Sequence, residues 1–277
     1  TSRGAGPAPH ASSVPSMRIA VCLKQVVTRE WHVRVNASGT WVRDDEASWG
    51  MNEPDGCALE TALRLKDAHG GEVVAISAGP ARVTQVLREA LGRGAARAVH
   101  ATGDDLASAD AFTVAAALAD DARPVAPDLV LTGLQSDDQG FAQVGGVLAE
   151  RAGMAHATII VGVEAGDGHV RVKRELEGGW FQWITLPLPA VLTIQSGIHQ
   201  LRYATLKGIM AAKKKTIDVV PAPARREGGP GVRVLSVAVP TRAKQIRLID
   251  GSPAEAAREL VRALREDARV LGPGDAA

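Results

Sequence analysis

Hydrophobic positions along residues 17–153 follow two spacings in alternation. Short apolar runs of strand length alternate with stretches in which apolar residues recur every three to four positions, as on one face of a helix. The runs predict strands at 17–23, 73–79, 96–101 and 127–133, and the stretches predict helices at 58–68, 80–93, 108–122 and 140–153. Strands separated by helices of about ten to fifteen residues favour right-handed crossovers and a parallel sheet.

The pattern changes after residue 168. Polar and apolar residues alternate over 169–195, with interruptions at Gly178-Gly179, Pro187 and Pro189, which predicts an antiparallel hairpin followed by one more strand. Further on, we predict a short helix at 203–212, a linker at 221–231, a strand at 232–239 and a last helix at 253–268. The predicted fold class is therefore α/β, a doubly wound and mostly parallel sheet with an antiparallel hairpin and a C-terminal arm.

Composition narrows the classes of partner. The 277 residues are 45% hydrophobic and 23% charged, as in globular proteins, which allows one large domain with extensions or two small ones. A net charge of +1 and 3% aromatic residues argue against a nucleic-acid partner. No apolar run approaches the roughly 18 residues of a membrane span, so we expect no membrane insertion. Two cysteines suit a reducing, intracellular setting.

Residues 1–16 are small, polar and rich in proline, and they precede Met17. We predict that they are a disordered extension or a remnant of the expression vector, with Met17 as the natural start. The segment has no apolar core of the kind that a secretory signal requires.

Four segments follow predicted strands or precede predicted helices and should meet at the carboxyl edge of the sheet, where such folds bind ligands. They are 22–24, 52–55, 77–80 and 132–146. In the last of these, small residues would let a phosphate approach backbone N–H groups at a helix N-terminus. No Walker lysine motif and no G-x-G-x-x-G follow the strands. This pattern favours passive binding of a nucleotide without phosphoryl transfer.

Plainer interpretations of the same residues remain open. Asp137 and Asp138 could simply cap a helix, as could Asn52 and Asp55. Cys22 on a buried strand is typical of an inert core residue. The seven histidines show no metal-ligand spacing, so we predict no metal site and no catalytic residue.

Motifs in both halves of the chain resemble those of the beta subunits of electron transfer flavoproteins. The resemblance extends from Met17 to about Asp267. The motifs of the second half are Arg174-Glu175 with Gly178-Gly179, Leu188-Pro189 with Thr193, Arg202-Tyr203 with Leu206, and Ile209-Met210 with Lys213-Lys214-Lys215. Those of the first half are Ala20 to Val26, the loop from Asn52 to Asp55, Gly79-Pro80, and Gln135 with Asp138, Gln143 and Gly145.

This resemblance implies an adenine-nucleotide-binding α/β domain at 17–220 that holds AMP, and a linker and arm at 221–277 that contact the alpha subunit. The redox-active FAD would lie mainly in that alpha subunit. A recognition loop at 195–203 would dock the dehydrogenase through Ile198, with Arg202 and Tyr203 beside it. The positions that match the family's AMP contacts are Cys22, Asn52, Glu53, Pro54, Asp55, Ala78, Gln135, Ser136, Asp137, Asp138, Gln139, Gly140, Phe141, Ala142, Gln143, Val144, Gly145 and Gly146.

The function implied by the resemblance is that of an electron carrier without catalysis of its own. Such a heterodimer accepts electrons from acyl-CoA or related flavin dehydrogenases, as in fatty acid oxidation, and passes them to a quinone oxidoreductase. A bacterial member would be cytoplasmic, and a eukaryotic one would lie in the mitochondrial matrix.

Two departures from the family pattern leave alternatives open. The loop before Arg202 reads Ile198-His199-Gln200-Leu201 and lacks the usual proline, which leaves dehydrogenase preference undecided. The segment SDDQGFAQ keeps one of the usual acids, Asp138. A bifurcating relative would hold a second FAD in place of AMP. A stand-alone ATP-binding protein and an adenylating enzyme of the same fold are the alternatives from other classes.

Overall fold

The computed structural model describes residues 16–28, 30–43, 47–222, 231–240 and 246–272. One compact unit extends to Val237, and a second begins at Ala238. The predicted extension, except for residue 16, and most of the predicted linker lie outside the described residues.

The described chain contains eleven strands and six α-helices. The strands are β1 (Met17–Cys22), β2 (Gln25–Val27), β3 (Trp49–Met51), β4 (Gly71–Gly79), β5 (Arg97–Thr102), β6 (Leu129–Gly133), β7 (Ala155–Ala165), β8 (His169–Glu175), β9 (Phe181–Pro187), β10 (Ala190–Ile194) and β11 (Asp218–Pro221). The helices are α1 (Glu53–His69), α2 (Thr84–Arg93), α3 (Ala111–Ala122), α4 (Val144–Ala152), α5 (Leu206–Lys214) and α6 (Pro253–Arg262).

Nine of the described strands form one sheet in the order β11-β5-β4-β1-β6-β10-β7-β8-β9. Pairing is parallel from β11 to β7, and the β7–β8 and β8–β9 pairs are antiparallel. Strands β2 and β3 form a separate antiparallel pair. The predicted fold class, a mostly parallel α/β sheet with an antiparallel hairpin, is confirmed.

The central parallel strands, β1, β4, β6 and β10, are buried on both faces. In β1, Ile19 and Val21 join the core cluster that contains Leu59 and Leu87 of α1 and α2. Ala20 and Cys22 point the other way, into the cluster that contains residues of α3 and α4 such as Leu118 and Leu148. A strand covered by helices on both sides has no polar face, which explains its continuous apolar run.

Several predicted boundaries are wrong for identifiable reasons. Helix α4 begins at Val144 instead of Gly140, because Gly140 and Ala142 have left-handed φ angles of 66° and 54°. Pro80 is extended and precedes a 3₁₀ turn, Ala81–Val83, instead of opening α2. Strands β2, β3, β7 and β11 were not predicted.

The strand predicted at 232–239 is absent from the described structure. Edge position beside β5 is taken by β11, which ends at Pro221. The 231–237 segment is tied to the rest of its unit by other hydrogen bonds. Gly231 N donates to the Asp110 side chain at 2.6 Å, and Val237 N donates to Gly39 O at 2.8 Å.

In the second unit, α6 begins with a capping box between Ser252 and Glu255. Among the described residues, no helix combines the length and the apolar character that crossing a membrane requires.

Candidate functional site

A cavity of about 220 Å³ lies at the carboxyl ends of β1, β4 and β6. This is the edge at which open parallel sheets bind ligands. The predicted nucleotide residues that line it are Cys22, Asn52, Asp55, Ala78, Gln135, Ser136, Gln139, Phe141, Ala142, Gln143, Val144 and Gly145. The predicted residues outside its lining are Glu53, Pro54, Asp137, Asp138, Gly140 and Gly146. The structure thus brings together residues from four distant stretches of the sequence.

Asp55 connects the ends of two central strands. Its carboxylate accepts hydrogen bonds from Lys24 N at 2.7 Å and from Gly133 N at 2.8 Å. Burial raises the pKa of Asp55 to about 6, although the two backbone N–H groups act in the opposite direction. The side chain therefore fixes the floor of the cavity by joining Lys24, two residues after β1, to Gly133, the last residue of β6.

Asn52 precedes α1 but makes no capping hydrogen bond to that helix. Its side-chain nitrogen donates to Gln135 O at 3.0 Å, and its side-chain oxygen accepts from Asp137 N at 3.0 Å. Asn52 thus holds the loop after β6 in place. For this residue, the plain helix-cap interpretation is wrong.

Lys24 is a cavity residue that was missing from the predicted set. Its Nζ donates to Asp138 Oδ1 at 2.7 Å, to Gln139 Oε1 at 3.0 Å and to Ser136 Oγ at 3.2 Å. Burial raises the pKa of Asp138, but the charge and hydrogen bond of Lys24 outweigh it and hold that pKa below its ordinary value. Asp138 is therefore ionised at neutral pH and pairs with Lys24. The available signal was the position of Lys24 at the end of the strand predicted at 17–23.

Helix α4 presents its N-terminus beside this loop. In the described structure its N-cap residue is Gln143, whose side chain makes no capping hydrogen bond, and Asp137 and Asp138 precede that position by five or more residues, so neither is the N-cap residue. The first-turn N–H groups of a helix without a side-chain cap can bind an anion such as a phosphate. Gly145 brings this turn close to the sheet, since a Cβ there would lie 2.4 Å from Thr193 Cγ2 and 2.9 Å from Thr132 Oγ1.

The cysteine of the cavity is not activated. Burial raises the pKa of the Cys22 thiol well above its ordinary value, so the thiol stays protonated and is not a nucleophile. Within the described ranges, no group of histidine, cysteine, aspartate and glutamate side chains could hold a metal ion. Further lining residues that sequence reasoning missed come from 106–111 and from Val232 and Val234.

The predicted partner-binding residues differ widely in exposure. Ile198 is partly buried and packs against the main core cluster. Arg202 forms ion pairs with Glu60 at 2.9 Å and with Asp67 at 2.8 Å, which fasten the loop to α1. Tyr203 is 88% exposed, and Leu206, at the start of α5, is 78% exposed. The exposed apolar surface near this loop therefore lies at Tyr203 and Leu206.

Comparisons with known proteins agree on one family. Residues 40–225 match the model of the electron transfer flavoprotein domain. Over 208 residues the chain is 38% identical to an electron transfer flavoprotein subunit beta of Methylophilus methylotrophus, which covers 74% of this chain and 79% of the relative. It is 31% identical to the corresponding Bacillus subtilis protein over 92% of this chain and 100% of the relative. It is 34% identical to the electron transfer flavoprotein subunit beta of Sus scrofa, over 92% of this chain and 99% of the relative. The chain therefore belongs to the electron transfer flavoprotein family, among proteins that are beta subunits.

Proposed function

We propose that this protein is the beta subunit of a heterodimeric electron transfer flavoprotein and that it binds AMP without catalysing a reaction itself. Membership of the family supports a role in electron transfer. The observation that carries the nucleotide proposal is the cavity at the strand ends, where Lys24 and Asn52 hold the loop that leads into the uncapped N-terminus of α4.

The size of the cavity favours AMP over a second FAD. Ligand pockets commonly measure roughly 300–1,000 Å³, and about 220 Å³ suits a mononucleotide better than a flavin dinucleotide. Residues of the first turn of α4 would hold the phosphate through their N–H groups. The mixed apolar and polar lining that includes Ala78, Val114 and Leu118 suits a base and a sugar.

The alpha subunit is the proposed permanent partner, and FAD bound mainly there would supply the redox chemistry. An exposed aromatic face on the β8–β9 hairpin supports such a contact. Trp180 is 74% exposed. The Lys173 Nζ lies 3.9 Å from the centre of the Phe181 ring, and the Arg171 Cζ lies 4.3 Å from the centre of the Trp183 ring. Tryptophan and arginine are enriched among the residues that contribute most to protein interfaces. We propose that this face and the unit from Ala238 onward contact the alpha subunit.

The proposed electron donors are acyl-CoA or other flavin dehydrogenases, and the proposed acceptor is a quinone oxidoreductase. We place the complex in the cytoplasm of a bacterium. Relatives from Oryza sativa are named as mitochondrial.

The first test is the nucleotide content of the heterodimer. After co-expression with the alpha subunit, purification and denaturation, we expect about one FAD and about one AMP per heterodimer. About two FAD and no AMP would identify a bifurcating flavoprotein instead. A chain that purifies alone with bound ATP would contradict the flavoprotein subunit proposal.

The second test concerns dehydrogenase docking. If Leu206 is the docking anchor, Leu206→Ala is expected to reduce the rate of electron transfer from the dehydrogenase by about tenfold, since truncation of the few residues that anchor an interface costs more than about 1 kcal/mol. Ile198→Ala is the matched comparison, since Ile198 packs against the core and its truncation should mainly lower stability. Reduction kinetics of the heterodimer and thermal melts separate the two effects. Weaker docking in Ile198→Ala with normal docking in Leu206→Ala would assign the anchor to Ile198.

A further inference from the structure

Residues 231–237, here called the strap, form part of the wall of the cavity. The strap belongs to the same compact unit as the sheet, and it has neither helix nor strand structure. Val232 and Val234 line the cavity together with Lys24 and Phe141. A ligand in this cavity would therefore contact chain that lies almost 100 residues beyond the loop after β6 in the sequence.

One buried carboxylate holds the start of the strap. Asp110 Oδ1 accepts a hydrogen bond from Thr113 N at 2.9 Å and thereby caps α3. Its Oδ2 accepts from Gly231 N at 2.6 Å. Burial raises the pKa of Asp110, but the hydrogen bonds from Thr113 and from the backbone N–H groups of Gly231 and Val232 outweigh it and hold that pKa below its ordinary value. An ionised acceptor makes a stronger hydrogen bond than a neutral one.

The strap is also held by packing and by a second hydrogen bond. A Cβ at Gly231 would lie 3.2 Å from Asp110 Oδ2 and 3.6 Å from the ring of Phe112, so a larger residue would push the strap away from α3. At the other end, Val237 N donates to Gly39 O at 2.8 Å. The strap is thus fastened on both sides of the two valines that line the cavity.

We propose that the strap is a gate for the nucleotide cavity, held shut by Asp110, and that it restricts the cavity to a mononucleotide. This inference rests on the proposed binding of AMP. With the strap in place the cavity measures about 220 Å³, below the roughly 300–1,000 Å³ of common ligand pockets, so the larger FAD would require the strap to move away. A bound nucleotide leaves when the bond between Gly231 and Asp110 breaks, so Asp110 determines both the retention and the size of the ligand.

Two variants break the hydrogen bond between Gly231 and Asp110, one by removing the acceptor and one by removing the donor. Asp110→Asn keeps one side-chain oxygen to cap α3 but removes the second acceptor, which Gly231 requires. Gly231→Pro removes one of the strap's backbone donors to Asp110, the Gly231 N–H at 2.6 Å, and leaves that of Val232, without any change in α3. Asp121→Asn is the control, because Asp121 is a buried aspartate of the same helix that does not belong to the described lining of the cavity.

The experiment uses the heterodimer with radiolabelled AMP bound and follows its release after addition of excess unlabelled AMP. We expect release to be about tenfold faster in Asp110→Asn and Gly231→Pro, as for loss of a charge-assisted hydrogen bond, and unchanged in Asp121→Asn. Incubation with excess FAD should load FAD into the two gate variants only. Release rates within twofold of the parent protein in both gate variants, with thermal melts that show them to be folded, would overturn the gate.

Amide hydrogen exchange of the strap separates this inference from the proposed function. In the parent protein, the Gly231 N–H should be protected, and Asp110→Asn should abolish the protection. If the heterodimer contains no AMP but Asp110→Asn still abolishes the protection of Gly231, AMP binding and the gating role are both overturned. The contact between Asp110 and the strap would then stand. Bound AMP with an unprotected strap would overturn the gate alone.

Discussion

Replacing Arg202 by Met is expected to lower the free energy of unfolding by about 2–4 kcal/mol, because the change leaves a buried carboxylate without its main partner. Glu60 is only 3% exposed, and its carboxylate accepts hydrogen bonds from Arg202 N at 3.1 Å, Nε at 2.9 Å and Nη2 at 3.1 Å. The Met side chain keeps much of the apolar stem but cannot pair with Glu60 or with Asp67.

The expected loss depends on pH. Burial raises the pKa of Glu60, but the hydrogen bonds and charge of Arg202 outweigh it and hold that pKa below its ordinary value. In the parent protein the ion pair therefore stabilises the fold above the unfolded-state pKa and loses its effect as the pH falls through the folded-state pKa. In Arg202→Met the Glu60 carboxyl keeps only Arg64 and the backbone N–H of residue 202 as partners, so it becomes protonated more easily. The destabilisation should be largest at neutral pH and should shrink below about pH 5.

Arg64→Ala is the matched control. Arg64 also pairs with Glu60, at 3.0 Å, but its side chain is 57% exposed and the pair is of the i,i+4 type. Such exposed pairs contribute less than about 1 kcal/mol. Urea unfolding of both variants at two pH values measures the difference. Equal losses in the two variants would mean that Arg202 is an ordinary surface residue and does not clamp the loop to α1.

The central sheet could be predicted because local pattern and burial agree there. Strands β1, β4, β5 and β6 lie between helices, and their apolar runs stand out against the helical spacing on either side. Strand β7 was missed because its eleven residues are mostly only partly buried and show no regular alternation. Apolar and polar residues do alternate over 232–239. However, hydrogen bonds from Gly231 to Asp110 and from Val237 to Gly39 hold this part of the chain outside any strand pairing.

The site was predictable only in part, because its contacts depend on residues that are far apart in sequence and not on a local pattern. Strand ends and helix starts mark Asn52, Asp55 and the loop after β6 as neighbours, because parallel strands bring their carboxyl ends to one edge. The contacts that shape the cavity join residues far apart in sequence. Lys24 and Asp138 are separated by 114 positions, and Asp110 and Gly231 by 121. The strand ends place Lys24 and Asp138 at one edge but do not show that they pair, and nothing in the sequence joins Asp110 to Gly231.

Gly145→Ala is expected to reduce nucleotide affinity by at least about tenfold and to lower the free energy of unfolding by about 1–3 kcal/mol, as overpacking does. The new methyl group would lie 2.4 Å from Thr193 Cγ2 and 2.9 Å from Thr132 Oγ1. Thr193 is buried on β10 and Thr132 on β6, so neither side chain can easily move away. The first turn of α4 must shift instead, and its N–H groups shift with it.

Gly146→Ala is the matched control, since a Cβ at this neighbouring glycine would meet no atom of the described residues within 4 Å. Alanine favours a helix by up to about 1 kcal/mol over glycine, so this variant should be as stable as the parent protein or more stable. AMP titration of the nucleotide-free heterodimer and thermal melts measure both effects. If Gly145→Ala binds AMP as tightly as Gly146→Ala does, the N-terminus of α4 does not hold the phosphate. A loss of AMP binding in Gly145→Ala alone would identify the close packing of α4 on β6 and β10 as the feature that positions the phosphate-binding N–H groups.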